Sequence, residues 1–281
     1  MLEYIKIIIL SIFTGVLLPL PTSAAVHYSY LNIALEFSEQ EEVLGFYYSV
    51  MTLAFSVVVF IFFRKIYFSS FKSLIKRNET ESSDSKNLVV GSALSLLITL
   101  ILLVPVSQGR LLMDYFDLFL KGNGMLLTSV SSVISGLLLV IAIWYTGKSE
   151  NAKVKLISIK SSLRFSIYQL FSYVVPGLSH VACGTTNLLI SDVEPNRLMA
   201  HLYTYMAPQM FLISVIKIIR AIANDIVINP VSVIIAVVIS VLAGGLFMNL
   251  CAKVNMKKLM FFFSLYSIVM GLFVAVGSFI I

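Results

Sequence analysis

The 281-residue chain is 59% hydrophobic and only 12% charged, with a mean hydropathy of +0.97. A soluble domain carries about a quarter of its residues as charged side chains, so this composition excludes an ordinary soluble protein. The net charge of +6 does not indicate nucleic-acid binding, because the basic residues stand at the ends of apolar runs, where anionic lipid headgroups attract them. Cys183 and Cys251 lie far apart and predict neither a disulfide framework nor a cysteine metal cluster.

Six apolar runs are long enough to cross a bilayer, which takes about 20 residues in a helix. In chain order they are residues 43–63, 88–106, 125–145, 198–216, 230–250 and 259–281. The fourth run is the least uniform, because it contains His201 and Pro208. These runs predict an all-α integral membrane protein with six transmembrane helices.

Two further apolar segments, 5–35 and 163–190, are each interrupted by a polar, proline-containing break. The first break is 19–23 (Pro-Leu-Pro-Thr-Ser), and the second is 176–180 (Pro-Gly-Leu-Ser-His). Each arm is too short to span a bilayer alone, so each segment predicts a re-entrant helical hairpin. Irregular backbone at membrane depth persists only where protein or a wet cavity satisfies its polar groups. We therefore expect both breaks to line a cavity.

Three loops rich in lysine and arginine, 64–87, 148–164 and 253–258, are predicted to be cytoplasmic by the positive-inside rule. The acidic stretch 36–42 and the charge-balanced stretch 110–121 are then outside. These sides agree with the order of the spans if the first hairpin opens to the outside and the second to the cytoplasm. Both termini are then predicted to lie outside a bacterial cell membrane.

The chain therefore divides into two halves, 1–147 and 148–281, each with one hairpin followed by three spans. The halves are oriented oppositely, which is the inverted repeat typical of many secondary transporters. A second interpretation of the start stays open. Lys6, the apolar run after it and the small residues before Ala25 also resemble a signal peptide with its cleavage site.

The two breaks resemble the motifs of the undecaprenyl-pyrophosphate phosphatase family, also called the bacitracin-resistance family. The first family motif, Glu-Gly-x-x-Glu-(Phe)-x-Pro-(Val)-Ser-Ser-x-x-His, aligns with 14–27, and the second, Pro-Gly-x-Ser-Arg-Ser-Gly-x-Thr, aligns with 176–184. A family proline beyond the second motif also has a counterpart here. The shared residues are Gly15, Pro21, Ser23, His27, Pro176, Gly177, Ser179 and Pro208. The resemblance extends to the topology of nearly the whole chain.

The resemblance implies a partner and a site. Enzymes of that family release phosphate from the lipid carrier of cell-wall synthesis, so the implied partner is a membrane lipid, a polyprenyl phosphate or pyrophosphate. Helix N-termini exposed after the breaks offer N–H groups to an anion, and nearby hydroxyls, among them Thr22, Thr185 and Thr186, add donors. The implied head-group-binding residues are Ser23, His27, Gly177, Ser179 and His180.

Several motif residues are missing. The two motif glutamates are replaced by Thr14 and Leu18, and the motif arginine by His180. Motif serines are replaced by Ala24 and Val181. Carboxylates would hold a divalent metal or move a proton, and arginine would bind two phosphate oxygens at once. We therefore expect weak or lost hydrolysis, and the divalent metal of the family is not predicted here because the motif glutamates are missing.

The histidines leave alternatives open. If the fold brings the breaks together, His27 and His180 are candidate catalytic residues, since imidazole neutralises or attacks a phosphate. They equally fit a role in satisfying the broken helix ends. A metal site of three histidines, including His201, with Cys183 is a weaker alternative. Lys217, Arg220 and Asp225 are predicted to be interfacial anchors.

Three functions remain compatible with the sequence. The first is a lipid-pyrophosphate phosphatase with altered chemistry, and the second is a non-catalytic polyprenyl-phosphate carrier or flippase, which the inverted repeat favours. The third is a regulatory subunit that senses the lipid. The sequence indicates neither a transport direction nor an oligomeric state.

Overall fold

The protein is described by a computed structural model that covers residues 2–37, 41–76, 82–107, 110–119, 124–147, 158–191, 193, 195–253 and 256–278. The described chain is almost entirely helical, which confirms the predicted all-α membrane class. The boundary predicted between the halves at 147/148 borders residues outside this coverage. The predicted cytoplasmic loops 64–87, 148–164 and 253–258 lie partly outside it.

The N-terminal part begins with a helix, a short break and a second helix, followed by long helices. In chain order the elements are α1 (Leu2–Leu17), α2 (Ala24–Ala34), α3 (Glu41–Phe62), α4 (Arg64–Lys76), α5 (Ser82–Thr99), a 3₁₀ turn (Leu100–Leu103), β1 (Pro105–Ser107), β2 (Arg110–Leu111), α6 (Leu112–Phe119) and α7 (Gly124–Gly147). The two short strands pair in an antiparallel ribbon between α5 and α6.

The C-terminal part repeats the opening pattern of helix, break and helix. Its elements are α8 (Ile159–Val174), α9 (His180–Ile190), α10 (Pro195–Ala223), α11 (Pro230–Cys251) and α12 (Met256–Gly277). The first arms of the two broken segments, α1 and α8, are both 16 residues long, and the second arms, α2 and α9, are both 11 residues long. That both segments are re-entrant stays a prediction.

Five helices of the described chain are long and apolar enough to cross a membrane. They are Glu42–Phe62, Gly124–Thr146, Leu198–Ala223, Pro230–Cys251 and Leu259–Gly277. They match five of the predicted spans, except that residues 279–281 of the last one lie outside the described chain. The sixth, predicted over 88–106, is a shorter apolar helix, Asn87–Leu103. It ends early because Val104 is extended before Pro105, and a residue preceding proline disfavours the helical conformation.

The long helices pack in pairs through small residues. α1 lies along α11, where a Cβ on Gly15 would come within 3.0 Å of Ala243 Cβ and Ser240 O. α12 lies along α7, and the Ser132 hydroxyl donates to Ser267 O at 3.1 Å. Further pairs are α3 with α10 and α5 with α8. Small residues let helix backbones approach closely, which is how helices associate in a bilayer.

The longest helix, α10, contains Pro208 and still continues for four turns beyond it. Proline lacks the N–H that would bond to the carbonyl of residue 204. That Thr204 oxygen instead accepts hydroxyl hydrogen bonds from Tyr67 of α4 at 3.0 Å and Ser92 of α5 at 3.3 Å. The proline therefore leaves a free acceptor that ties α10 to two neighbouring helices.

Candidate functional site

The helix that follows each break is capped by a serine of that break. The Ser23 hydroxyl oxygen accepts a hydrogen bond from Val26 N at 3.2 Å, at the start of α2. The Ser179 oxygen accepts one from Ala182 N at 3.2 Å, at the start of α9. A cap of this kind satisfies one of the free N–H groups of a helix N-terminus and stabilises the helix by about 1 kcal/mol. The two serines therefore occupy equivalent positions in the two broken segments.

The second break makes a tight turn against α7. Gly177 has a φ of +82°, a backbone conformation that side-chain-bearing residues rarely adopt. A Cβ at this position would also overlap Thr128 of α7, so the turn needs glycine for space as well. Two residues on, Ser179 N–H donates to the Ser135 hydroxyl at 2.9 Å. Helix α7 thus holds the second break in place.

The first break is held by two C-terminal helices. The Tyr203 hydroxyl of α10 donates to Pro19 O, and the Ser267 hydroxyl of α12 donates to Pro21 O at 3.4 Å. Carbonyl groups in a break have no helical partner, and leaving them buried without one is costly. These two hydroxyls satisfy that need and fix the position of the first break.

A cavity of about 210 Å³ is lined by both breaks together. Its described walls come from residues of the first break and the start of α2, from α3, from the end of α8, from the second break and from one face of α10. Ser23 and Ser179 both line it, as do Gly177 and His180. Four of the five predicted head-group residues are therefore brought to one cavity.

Two buried hydroxyls of the cavity wall, those of Thr22 and Tyr173, have no hydrogen-bond partner within the described chain. Thr22 is only 3% exposed, and its Oγ1 has no hydrogen-bond partner within the described chain. A buried hydroxyl without a partner costs about 1–3 kcal/mol. Because Thr22 lines the cavity, its hydroxyl is placed to bond with a molecule bound there.

His180 is held by residues of α8. Its Nδ1 shares a hydrogen bond with the Ser172 hydroxyl, and its carbonyl oxygen accepts one from Gln169 Nε2 at 2.7 Å. The imidazole lies against the Tyr173 ring, with 4.2 Å between centroids. These contacts fix the orientation of the ring at the cavity wall.

His27 has a different setting. It is not among the described residues that line the cavity. Its Nδ1 is 2.7 Å from Ser23 O, and its Nε2 is 2.7 Å from the Tyr266 hydroxyl of α12. Both ring nitrogens therefore bond to protein groups. In this arrangement the imidazole links α2 to α12 and contacts the end of the first break at Ser23 O.

One cationic residue of the cavity wall was not expected from the sequence. Lys217 was predicted to be an interfacial anchor, but it lines the cavity. It follows Met206, Met210, Ile213 and Ser214 on the same face of α10, at the spacing of a helix. The sequence signal for this position is the helical register, which continues past residue 216, where the predicted apolar span ends. Arg220, predicted to be an anchor as well, forms an ion pair with Asp114.

An apolar groove of about 390 Å³ adjoins the cavity. Its described walls are residues of α7, α8, α9 and the second break, including Leu138, Phe171 and Cys183. Leu178, in the second break, lines both the groove and the cavity. Leu178 therefore lies between the groove and the cavity.

Comparison with known families decides which fold family this geometry belongs to. A family model described as bacitracin resistance protein BacA matches residues 7–273. The chain belongs to the BacA family. This confirms the resemblance stated for the motifs, and it makes the chain a multi-pass membrane protein of the undecaprenyl-pyrophosphate phosphatase type. The match begins inside the segment that also resembles a signal peptide. No curated protein matches the chain.

The BacA-family motif residues that are missing here can now be placed. Leu18, Ala24 and Val181 line the cavity, where the family motifs have a glutamate and two serines. Thr14 is buried on α1, one turn before Leu18. At these three positions the cavity wall therefore carries no acidic or hydroxyl group.

The donor set does not suit the divalent metal that the family resemblance implies. The described residues that line the cavity include hydroxyls, an imidazole and an ammonium, but no carboxylate. Hard divalent cations prefer oxygen ligands with carboxylates among them. Within the described residues, no group of three or more His, Cys, Asp or Glu side chains is arranged to hold a metal ion. Within the described residues, the three histidines and Cys183 therefore do not form a metal-binding group.

Proposed function

We propose that this BacA-family protein binds the phosphate head group of a polyprenyl phosphate or pyrophosphate between its two breaks and hydrolyses it poorly. The observation that supports this proposal is the single cavity lined by Ser23 and Ser179 together, with the unpartnered Thr22 hydroxyl in its wall. An anion in this cavity would meet hydroxyl donors and the N-terminal ends of α2 and α9. The chain would act in a bacterial cell membrane.

The two capping serines retain a hydrogen to donate. Each serine oxygen accepts a hydrogen bond from its helix, and a hydroxyl group also carries one O–H donor. Gly177 would contribute through the tight turn that it allows against α7, which holds the second break at the cavity wall. His27 would act indirectly, through its contact with Ser23 O. His180 would contact the head group from the wall of the cavity.

The same cavity is poorly equipped for phosphoryl transfer. Hydrolysis depends on stabilising charge that spreads over the equatorial oxygens in the transition state. Leu18 offers no carboxylate, Thr14 offers only a hydroxyl, and the imidazole of His180 does not form the two-pronged contact of arginine. Loss of one catalytic group typically lowers a rate by about 10²–10⁴-fold. We therefore expect the protein to bind the lipid but to hydrolyse it slowly.

The apolar tail of the lipid would leave through the groove beside Leu178. A tail attached to a phosphate in the cavity must pass from polar to apolar surroundings, and Leu178 lies where the two volumes meet. The groove walls are side chains of α7 and α8 such as Leu138 and Phe171. Because the tail already lies in hydrocarbon when it is in the bilayer, the groove would hold it through close van der Waals packing rather than by removing apolar surface from water.

The predicted topology places this cavity in the outer half of the membrane. Ser49 and Thr52 line it and lie about 12–17 Å along α3 from Glu41, at about 1.5 Å per residue. Glu41 belongs to the acidic stretch predicted to be outside. With both termini outside, the lipid phosphate would enter from the outer leaflet.

Native mass spectrometry of the purified protein tests this function directly. We expect a retained polyprenyl lipid, and we expect added undecaprenyl phosphate to bind more tightly than undecaprenol, which has the same tail without the phosphate. Equal binding of the two lipids, or retention of bulk phospholipids alone, would show that the cavity is no phosphate site.

The similarity of the two broken segments supports a carrier or flippase as a second candidate function. The broken segments have arms of equal length, 16 and 11 residues, and equivalent serine caps. Such a relation between halves suits alternating access around a central site. Vesicles containing the protein would then move undecaprenyl phosphate between leaflets faster than protein-free vesicles. A protein that binds the lipid without changing that rate is not a carrier.

A further inference from the structure

The charge of the cavity comes from an unexpected helix. Lys217 lines the cavity from α10, while the loop position that carries arginine in the family motif is His180. A lysine ammonium is a compact point charge and a common phosphate ligand, although it lacks the fixed geometry of arginine. The cavity thus contains a cationic group whose position belongs to neither family motif.

Lys217 and His180 belong to the same polar cluster. Both side chains line the same cavity, Lys217 from α10 and His180 from the start of α9. The helical register supports the same placement, because Ser214 and Met210 lie on the same face of α10 one and two turns before Lys217. The cavity wall and the spacing of its other α10 residues therefore agree in placing Lys217 on the face of α10 that lines the cavity.

The neighbouring cation of α10 has a different partner. Arg220 lies about one turn beyond Lys217 and forms an ion pair with Asp114 of α6. Its guanidinium is therefore occupied by a carboxylate away from the cavity. A phosphate monoester carries about −1.5 to −2 charge near neutral pH and needs a cation close by. Among the described residues of the cavity wall, Lys217 is the side chain with a permanent positive charge.

We propose that Lys217 is the phosphate-binding cation of this protein, taking over the charge that the motif arginine supplies in the family. The inference rests on the proposed function and adds a specific residue to it. Its consequence is a site in which the charge comes from a transmembrane helix rather than from the break. Such a site attracts the phosphate strongly but does not clamp two of its oxygens, which suits binding better than hydrolysis.

The test measures binding of undecaprenyl phosphate and of undecaprenol to the wild-type protein and to Lys217→Met, Lys217→Gln and Lys217→Arg. Methionine and glutamine remove the charge while keeping much of the length, and arginine keeps the charge. Lys65→Met is the matched control, because Lys65 is an exposed lysine of α4 that is not among the described residues of the cavity wall. Thermal unfolding of each variant verifies that it is folded.

We expect either neutral variant to bind undecaprenyl phosphate about 10- to 100-fold more weakly, as the loss of a charged hydrogen bond predicts, while undecaprenol binding stays unchanged. Lys217→Arg and Lys65→Met should stay within about threefold of wild type, which is less than 1 kcal/mol. Folded neutral variants with wild-type affinity for undecaprenyl phosphate would overturn the role of Lys217. A wild-type protein that does not distinguish the phosphate from undecaprenol would instead overturn the proposed function itself.

Discussion

At the scale of single residues, the unpartnered hydroxyl of Thr22 separates a ligand site from ordinary packing. Replacing Thr22 by valine keeps the shape of the side chain and removes a buried donor that has no partner within the described chain. If the hydroxyl served only the fold, its loss would lower stability. If it serves a ligand, its loss weakens binding and leaves the fold as stable or more stable.

We therefore expect Thr22→Val to raise the free energy of unfolding by up to about 1 kcal/mol and to weaken undecaprenyl phosphate binding by about 3- to 10-fold. Thermal unfolding and lipid titration measure the two effects. Thr146→Val is the matched control, because the Thr146 hydroxyl donates to Ala142 O at 2.9 Å within α7 and is not among the described residues of the cavity wall. A Thr22→Val protein that is less stable and binds normally would contradict the assignment.

Residues of the site were predictable from sequence where they follow a break and not where they depend on helix register. Ser23, Gly177, Ser179 and His180 stand in or beside proline-containing breaks, and breaks at membrane depth need polar partners. Lys217 was missed because the apolar run stops at the first charge, whereas α10 continues to Ala223. The helix ends shortly before Asp225, whose φ of +54° is not helical.

At the scale of elements, the groove between α7 and α8 offers a direct test of where the lipid tail lies. Leu138 lines the groove, while Leu137, its neighbour in sequence, points about 100° away around the same helix and is not among the described residues of the groove wall. Tryptophan at residue 138 would fill part of the groove. The same substitution at residue 137 would add the same bulk on another face of α7.

We expect Leu138→Trp to weaken undecaprenyl phosphate binding by about tenfold, since extra bulk in a packed space costs about 1–3 kcal/mol. Binding of inorganic pyrophosphate should be unchanged, because the head-group cavity is not altered. Leu137→Trp should bind both ligands as wild type does. Equal lipid affinities for the two tryptophan variants would mean that the tail follows another path.

Element boundaries were predictable to the extent that hydropathy alone sets them. The spans around residues 43–63 and 230–250 match α3 and α11 closely because both are uniformly apolar helices. The predicted span 88–106 extends past the end of its helix, since Pro105 forces the preceding backbone out of the helical conformation. The link between His27 and Tyr266, far apart in sequence, lay beyond any local pattern.

At the scale of the whole molecule, the inverted orientation of the two halves is a prediction that labelling can test. Single cysteines at residues 72 and 253 should react from the cytoplasmic side, and single cysteines at residues 42 and 110 from the outside. Cys183 and Cys251 are buried free thiols, so a background with both replaced by alanine removes competing labels. Reaction of the 72 and 253 positions from opposite sides would exclude the inverted topology.

The central claim is that this BacA-family protein binds the lipid phosphate in its cavity but hydrolyses the pyrophosphate poorly. Phosphate release from undecaprenyl pyrophosphate tests it most directly, with an active BacA-family enzyme as positive control. A second sample restores the motif groups through Thr14→Glu, Leu18→Glu, Ala24→Ser and His180→Arg. We expect the unmodified protein to bind the lipid but to release phosphate at least about 10²-fold more slowly than the active relative, with partial recovery in the restored variant. Turnover of the unmodified protein at about 1–10³ per second, the ordinary range for enzymes, would contradict the account.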